Sequence, residues 1–182
     1  MRCLQLGTFL GAALLSTSCQ VLVSTGAEAV PYDRIGAAAY DAVDDLVDQC
    51  DVETDLGRLL VATLVDINNV EKTTMFGRQF AEMASSRLTH NKADVIHATV
   101  RHDHMRIDER GQFLISRKVQ NLAADYNARY VLVGTYAVCD EAVFVSLKLV
   151  STIDDSTVAA ADVELEHTDT VKEMLEQRSS SW

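Results

Sequence analysis

Between Tyr130 and Val150 the chain carries two apolar runs, "YVLVGTYAV" and "AVFVSLKLV", with only Cys139-Asp140-Glu141 between them. A link that short cannot make a crossover, so the two runs must pair antiparallel. In the second run Val143, Val145, Leu147 and Leu149 alternate with Phe144, Ser146 and Lys148, the period of a strand with one buried face. The turn "IDDS" follows, and Thr157 to Leu165 reads as a further strand that completes a meander. A meander with one apolar face cannot stand in water alone. The rest of the chain must cover it.

The upstream segments read as that cover and as more sheet. Asp33 can cap a helix with apolar residues at Ile35, Ala39, Val43, Leu46, Val47 and Cys50. Asp41, Asp44, Asp45, Asp48 and Asp51 occupy its other side. Arg58 to Ile67, "RLLVATLVDI", is almost continuously apolar, as a strand buried on both faces is. Thr73 or Thr74 opens a second helix with Phe76, Phe80, Met83, Ala84 and Leu88 on one side, and Asp94 to Val100 reads as the next strand. Gly111 marks a turn, and Ser116 caps a third helix that buries Val119, Leu122, Ala123 and Tyr126. Thr170 and Glu173 have capping-box spacing for a short C-terminal helix. The order is therefore α-β-α-β-α-β-β-β, an α/β (α+β) domain built on a mixed sheet. Its first three strands, joined by right-handed helical crossovers, are parallel, and the antiparallel meander follows. The expected divisions are a domain over residues 33–167 and a short helix and tail over 168–182.

The first residues have a different character. Arg2 is a minimal positive region, and Cys3 to Leu15 is apolar but shorter than the ~20 residues a membrane-spanning helix needs. "STSC" then supplies the small residues of a secretory cleavage site. Residues 1–18 thus read as a lipoprotein-type signal peptide. Cys19 becomes the lipidated first residue, carrying acyl chains of the palmitate kind, and residues 19–32 form a tether. The rival is a cut after Ala29, at "AEA", which would discard Cys19. The lipobox is preferred because the apolar region ends just before it, although Ser16 stands where an aliphatic residue is usual. Gln20 after the cysteine favours the outer membrane. A net charge of −11 repels phosphate backbones, so nucleic acid is not an expected partner.

Several stretches resemble chemical sites. "DDLVD", Asp44 to Asp48, has the spacing of a magnesium-diphosphate box, but no second acidic motif faces it and it completes the polar side of the first helix. It reads as surface. In "HATVRHDHMRID", His102 and His104 would project to one side of an extended chain, with His97 on the other. They are weak metal-ligand candidates, since no HExxH or CxxC accompanies them. No nucleophile elbow, P-loop or dinucleotide fingerprint is present, so no catalytic residue is assigned. Cys50 reads as a buried small hydrophobe and Cys139 as a turn residue at the opposite end of the sheet, too distant for a disulfide. Gly77 and Gly134 read as points of close approach between helix and sheet, and Arg78 as a partner for a carboxylate such as Asp66.

Taken together, "FGRQFAEMASSRL" (Phe76–Leu88), "RGQFLISRKVQNLAADYNARYVLVGTYAV" (Arg110–Val138) and "VFVSLKLVSTIDDSTVAAADVEL" (Val143–Leu165) resemble the FlgO family over roughly residues 34–166. The strand "LLVATLVDINNV" and the secretory leader fit as well. The resemblance implies an outer-membrane protein of bacterial flagellar assembly that supports motility without enzymatic activity or a cofactor. It implies FlgP- and FlgT-like envelope proteins as partners, with self-association open. It also implies a fold akin to the small α/β domain of CsgG and the N-terminal part of TolB. No catalytic or ligand residue is carried over. The alternatives are a periplasmic ligand- or metal-binding module using His102 and His104, and a hydrolase of unrecognised type.

Overall fold

The computed structural model describes residues 31–50, 56–70, 73–97, 105–107, 113–115 and 117–177. Helix α1 (Pro31–Gln49) precedes strand β1 (Arg58–Val61) and the short strand β2 (Val65–Asp66). Helix α2 (Met75–His90) leads to β3 (Asp94–His97), and β4 (Met105–Ile107) and β5 (Phe113–Ile115) precede helix α3 (Arg117–Asp125). Strands β6 (Tyr130–Val138), β7 (Ala142–Ser151) and β8 (Thr157–Glu166) follow, then helix α4 (Asp169–Glu176). The main sheet has the order β3-β1-β6-β7-β8, with β2 also on β6. β1 is parallel to both β3 and β6, and β6, β7 and β8 are antiparallel. This is the mixed sheet that the two patterns of apolar residues predict.

Alternation along the strands sends side chains to two cores. Leu59, Val61, Leu132, Leu147 and Leu149 lie beneath α1, α2 and α4, against Val43, Phe76, Phe80 and Met174. Leu60, Ala62, Val131, Val133 and Val150 form a smaller core on the opposite face, with Ala123 and Leu122 of α3. Leu132 and Leu147 are wholly buried, each worth about 1.5–3 kcal/mol of transfer free energy. The larger core includes Val171 and Met174, so α4 shares the core of the sheet.

Five details differ from the sequence reading. The run Arg58–Ile67 is not one strand: between β1 and β2, Leu64 N–H turns to the Gly77 carbonyl of α2 while Ala62 N–H still reaches Leu132 O. Val61 pairs with Leu132 and Val65 with Thr135, so four steps on one side oppose three on β6. One extra residue is accommodated as a bulge, and Ile67 beyond it is 51 % exposed. Helix α1 begins at Pro31, two residues ahead of Asp33, because proline suits a first helical turn whose N–H groups have no partner. Thr168 caps α4, accepting from Val171 N–H, whereas Thr170 is already inside the helix. Tyr126 follows α3 and is 45 % exposed. Antiparallel β4 and β5 form a separate two-stranded sheet around the segment containing Gly111. Gly111 itself, Ser116 and residues 98–100 lie outside the described residues.

Two local devices hold the layers in place. Thr74, in extended conformation, caps α2 by accepting from Gly77 N–H, as the sequence predicts. At the sheet edge, Gln49 Nε2 donates to Ala160 O at 2.7 Å, and Ala160 N–H donates to Gln49 Oε1 at 3.1 Å. The side-chain amide thus occupies the position of a next strand on β8, and Asp162, Glu164 and Glu166 add exposed charge along the same edge. Both features discourage edge-to-edge pairing.

Candidate functional site

The connections leaving β1 and β3 set up a crevice. From β1 the chain passes through α2, on the large-core face, to β3. From β3 it returns through α3, on the opposite face, to β6 on the other flank of β1. Open sheets place ligands at the carboxyl ends of parallel strands where connections diverge in this way. Here that position holds a cleft of about 570 Å³, within the range of small-ligand pockets. Asp66 of β2, Thr74 at the start of α2, and Tyr136 and Val138 of β6 form one side. His167, Lys172, Leu175 and Glu176, on and just before α4, form the other.

Tyr136 is the hub. It lies opposite Asp66 in the β2–β6 register, its ring stands edge-on to Phe76 at 5.4 Å, and its hydroxyl is 3.0 Å from Thr74 Oγ1. Burial pushes the phenol above its usual pKa, against the opposing pull of the Thr74 hydrogen bond, so it stays protonated at neutral pH. His167 Nδ1 is 3.2 Å from Asp140 O. A carbonyl only accepts, so Nδ1 is the donor in this contact. Lys172 pairs with Asp169 one helical turn away, at 3.7 Å. Chemically the cleft offers carboxylates, an ammonium, a ring nitrogen and two hydroxyls around an apolar wall. Nothing in this set pairs a nucleophile with a base.

A family model described as FlgO protein matches residues 40–170. The chain belongs to the FlgO family. The match runs from within α1 to the first turn of α4 and takes in all eight strands. Among solved structures, the fold is similar to the LpoB C-terminal domain from Escherichia coli, with a TM-score of 0.53 and 16% identity over 72% of this chain and 97% of that one. The LpoB C-terminal domain from Salmonella enterica gives 0.51 and 16% over 73% and 98%. At such identity the likeness is one of fold. No curated protein sequence matches the chain.

The aspartate box of this FlgO domain is divided. Asp41, Asp45 and Asp48 are exposed, as the surface reading requires, but Asp44 is engaged. Arg87 of α2 donates to both its oxygens, Nε to Oδ1 at 2.7 Å, and Asn91 Nδ2 donates to Oδ1 at 3.1 Å. Arg87 also lies over the Tyr40 ring, 5.7 Å from its centroid. The Arg87 hydrogen bonds hold the Asp44 carboxyl below its ordinary value of 3.8, outweighing desolvation. A depressed folded-state pKa gives stability that is present above the unfolded value and lost as pH falls through the folded one. Asp44→Asn should therefore lower the denaturant midpoint at pH 7 by a small amount, since the pair is partly solvated. The gap from the parent should close in acid well below 3.8. A gap that persists unchanged there would show that the effect is not electrostatic.

The remaining sequence-derived residues are placed as follows. Cys50 follows α1 and its thiol donates to Leu46 O; it is half-buried rather than fully buried. Its neighbour Gln49 meets Ala160, which is aligned through Lys148 with Val133. Cys139 is exposed and lies six residues farther along, about 20 Å at 3.3 Å per residue. His102, His104 and Cys19 lie outside the described residues. Among the described residues no group of three or more metal-ligating side chains converges, and no helix is long and apolar enough to cross a membrane. The cleft was missed from sequence. One signal pointed to it: Tyr136 has the same parity as Leu132 and so faces the large core, where a phenol needs a polar partner.

Proposed function

We propose that this FlgO protein is a non-enzymatic lipoprotein of the bacterial outer membrane, anchored through Cys19, that serves the flagellar outer-membrane structures needed for motility. The match to the FlgO family across residues 40–170 carries the reading. The leader ending in "LLSTSC" supports the anchor, and the absence of a nucleophile–base pair in the cleft fits a structural role. In this reading the folded domain works in the periplasm, held by acyl chains through the segment before α1, and assembles with FlgP- and FlgT-like envelope proteins. A single acyl chain binds membranes only marginally, so a stable anchor requires more than one.

Intact mass of the membrane-extracted protein should show an acylated chain beginning at Cys19. The Cys19→Ala variant should leave the outer-membrane fraction almost completely, and cells carrying it should lose motility as the gene deletion does. A mature, lipid-free chain beginning at Val30 would end the anchor assignment. Normal swimming of the deletion in a flagellated host would end the flagellar one.

A further inference from the structure

The cleft contains more hydrogen-bond capacity than the fold uses. Thr74 is 2 % exposed and Tyr136 is 1 % exposed, so neither hydroxyl can rely on bulk water. Their hydroxyls have two hydrogens between them, and the Thr74–Tyr136 bond at 3.0 Å uses one. The other contact to Thr74 Oγ1 is a donation from Gly77 N–H, which consumes a lone pair and no hydrogen. One buried O–H therefore has no acceptor among the described residues. Buried donors are almost always paired, so an uncommitted one lining a cleft calls for an acceptor from outside.

The other side chains narrow the class of ligand. Lys172 supplies a cation on the facing side of the same cleft, which suits a carboxylate or a carbonyl oxygen. Asp66 and Glu176 supply acceptors, which suit an ammonium. Val138 and Leu175 supply an apolar wall. A simple anion would be repelled by the two carboxylates, and a simple cation would leave the buried hydroxyl unsatisfied.

We infer that the cleft between β2, β6 and α4 binds a zwitterionic ligand of amino-acid chemistry with an apolar side chain, such as a short peptide. The Thr74–Tyr136 pair and Lys172 take its carboxylate, and Asp66 with Glu176 take its ammonium. The free amino acid and the peptide share this chemistry, and the test separates them. This goes beyond the envelope role and does not depend on it.

The full chain, isotopically labelled, is titrated by NMR with leucine, with the dipeptide glycyl-leucine, and with N-acetyl-leucine amide, which carries neither charge. Saturable shifts at Tyr136, His167 and Lys172 with leucine identify a free amino acid as sufficient. Shifts with the dipeptide alone identify a peptide, and either result supports the site. The uncharged analogue should bind at least about tenfold more weakly. Tyr136→Phe keeps the ring and removes the hydroxyl, and should weaken binding about tenfold with a small fall in melting temperature, since Thr74 loses its partner. Lys172→Gln on the exposed face of α4 leaves that bond intact and should weaken binding of the charged probes without the fall. No saturable shift with any probe at millimolar concentration, or equal binding of the charged and uncharged probes, would overturn the assignment.

Discussion

Alanine at position 77 destabilises the domain by about 2 kcal/mol, while alanine at position 36 stabilises it by about 0.5–1 kcal/mol. Both glycines are helical, so propensity alone favours alanine at both, by up to about 1 kcal/mol. The surroundings decide the sign. A Cβ on Gly77 would collide with the backbone carbonyl oxygen of Leu64 and lie 3.1 Å from both Thr73 Oγ1 and Tyr136 Cε1. That carbonyl cannot retreat easily, because it accepts from Thr73 Oγ1 at 3.0 Å while Leu64 N–H bonds Gly77 O. Overpacking against backbone costs about 1–3 kcal/mol and occasionally more, which exceeds the helical gain. A Cβ on Gly36 meets nothing within 4 Å. Denaturant midpoints of Gly77→Ala and Gly36→Ala, at unchanged slope, should move in opposite directions. A Gly77→Ala protein as stable as the parent would show that the contact between α2 and the bulge after β1 is looser than described.

Phe76→Ala should cost more, about 3–5 kcal/mol, and lower Tm by roughly 8–16 °C. Phe76 is wholly buried and stands between Phe80, 5.9 Å away, and the edge of Tyr136 at 5.4 Å. Removing it takes away the apolar contact of α2 with β6 and leaves a cavity under the tyrosine. The surroundings can collapse little, because Tyr136 is also held by Thr74. The variant should therefore weaken the cleft as well as the core, whereas Tyr136→Phe should lose the Thr74 bond and leave the apolar packing in place. Thermal unfolding followed by circular dichroism reads the first effect. A loss below about 1.5 kcal/mol would place Phe76 at a site that repacks freely.

Much of the architecture was legible because strand and helix periods are local. The alternation of Val143, Val145, Leu147 and Leu149 announced one buried face, and those residues do line the large core. The near-continuous apolarity of Arg58–Ile67 announced two, and Leu59 and Leu60 of β1 divide between the two cores. The bulge at Ala62–Leu64 was not legible, since its residues are as apolar as a strand and only the approach of α2 diverts their hydrogen bonds. The Thr168 cap was hidden for a similar reason. Thr168 and Thr170 both precede an apolar helical pattern, and the path of the chain out of β8 determines which one is extended.

The amino-acid order by itself determined the mixed sheet and the FlgO family, because each rests on spacing along the segments that carry it. Only the tertiary structure decided what Asp44 and Tyr136 do. Forty-three residues separate Asp44 from Arg87, and sixty-two separate Thr74 from Tyr136. No pattern in one segment records a partner so far away. The aspartate box was reduced to one engaged carboxylate by the packing of α1 on α2, and the cleft exists because α4 closes over the ends of β2 and β6. Periodicity tells a side chain which way to face. Packing decides whom it meets there.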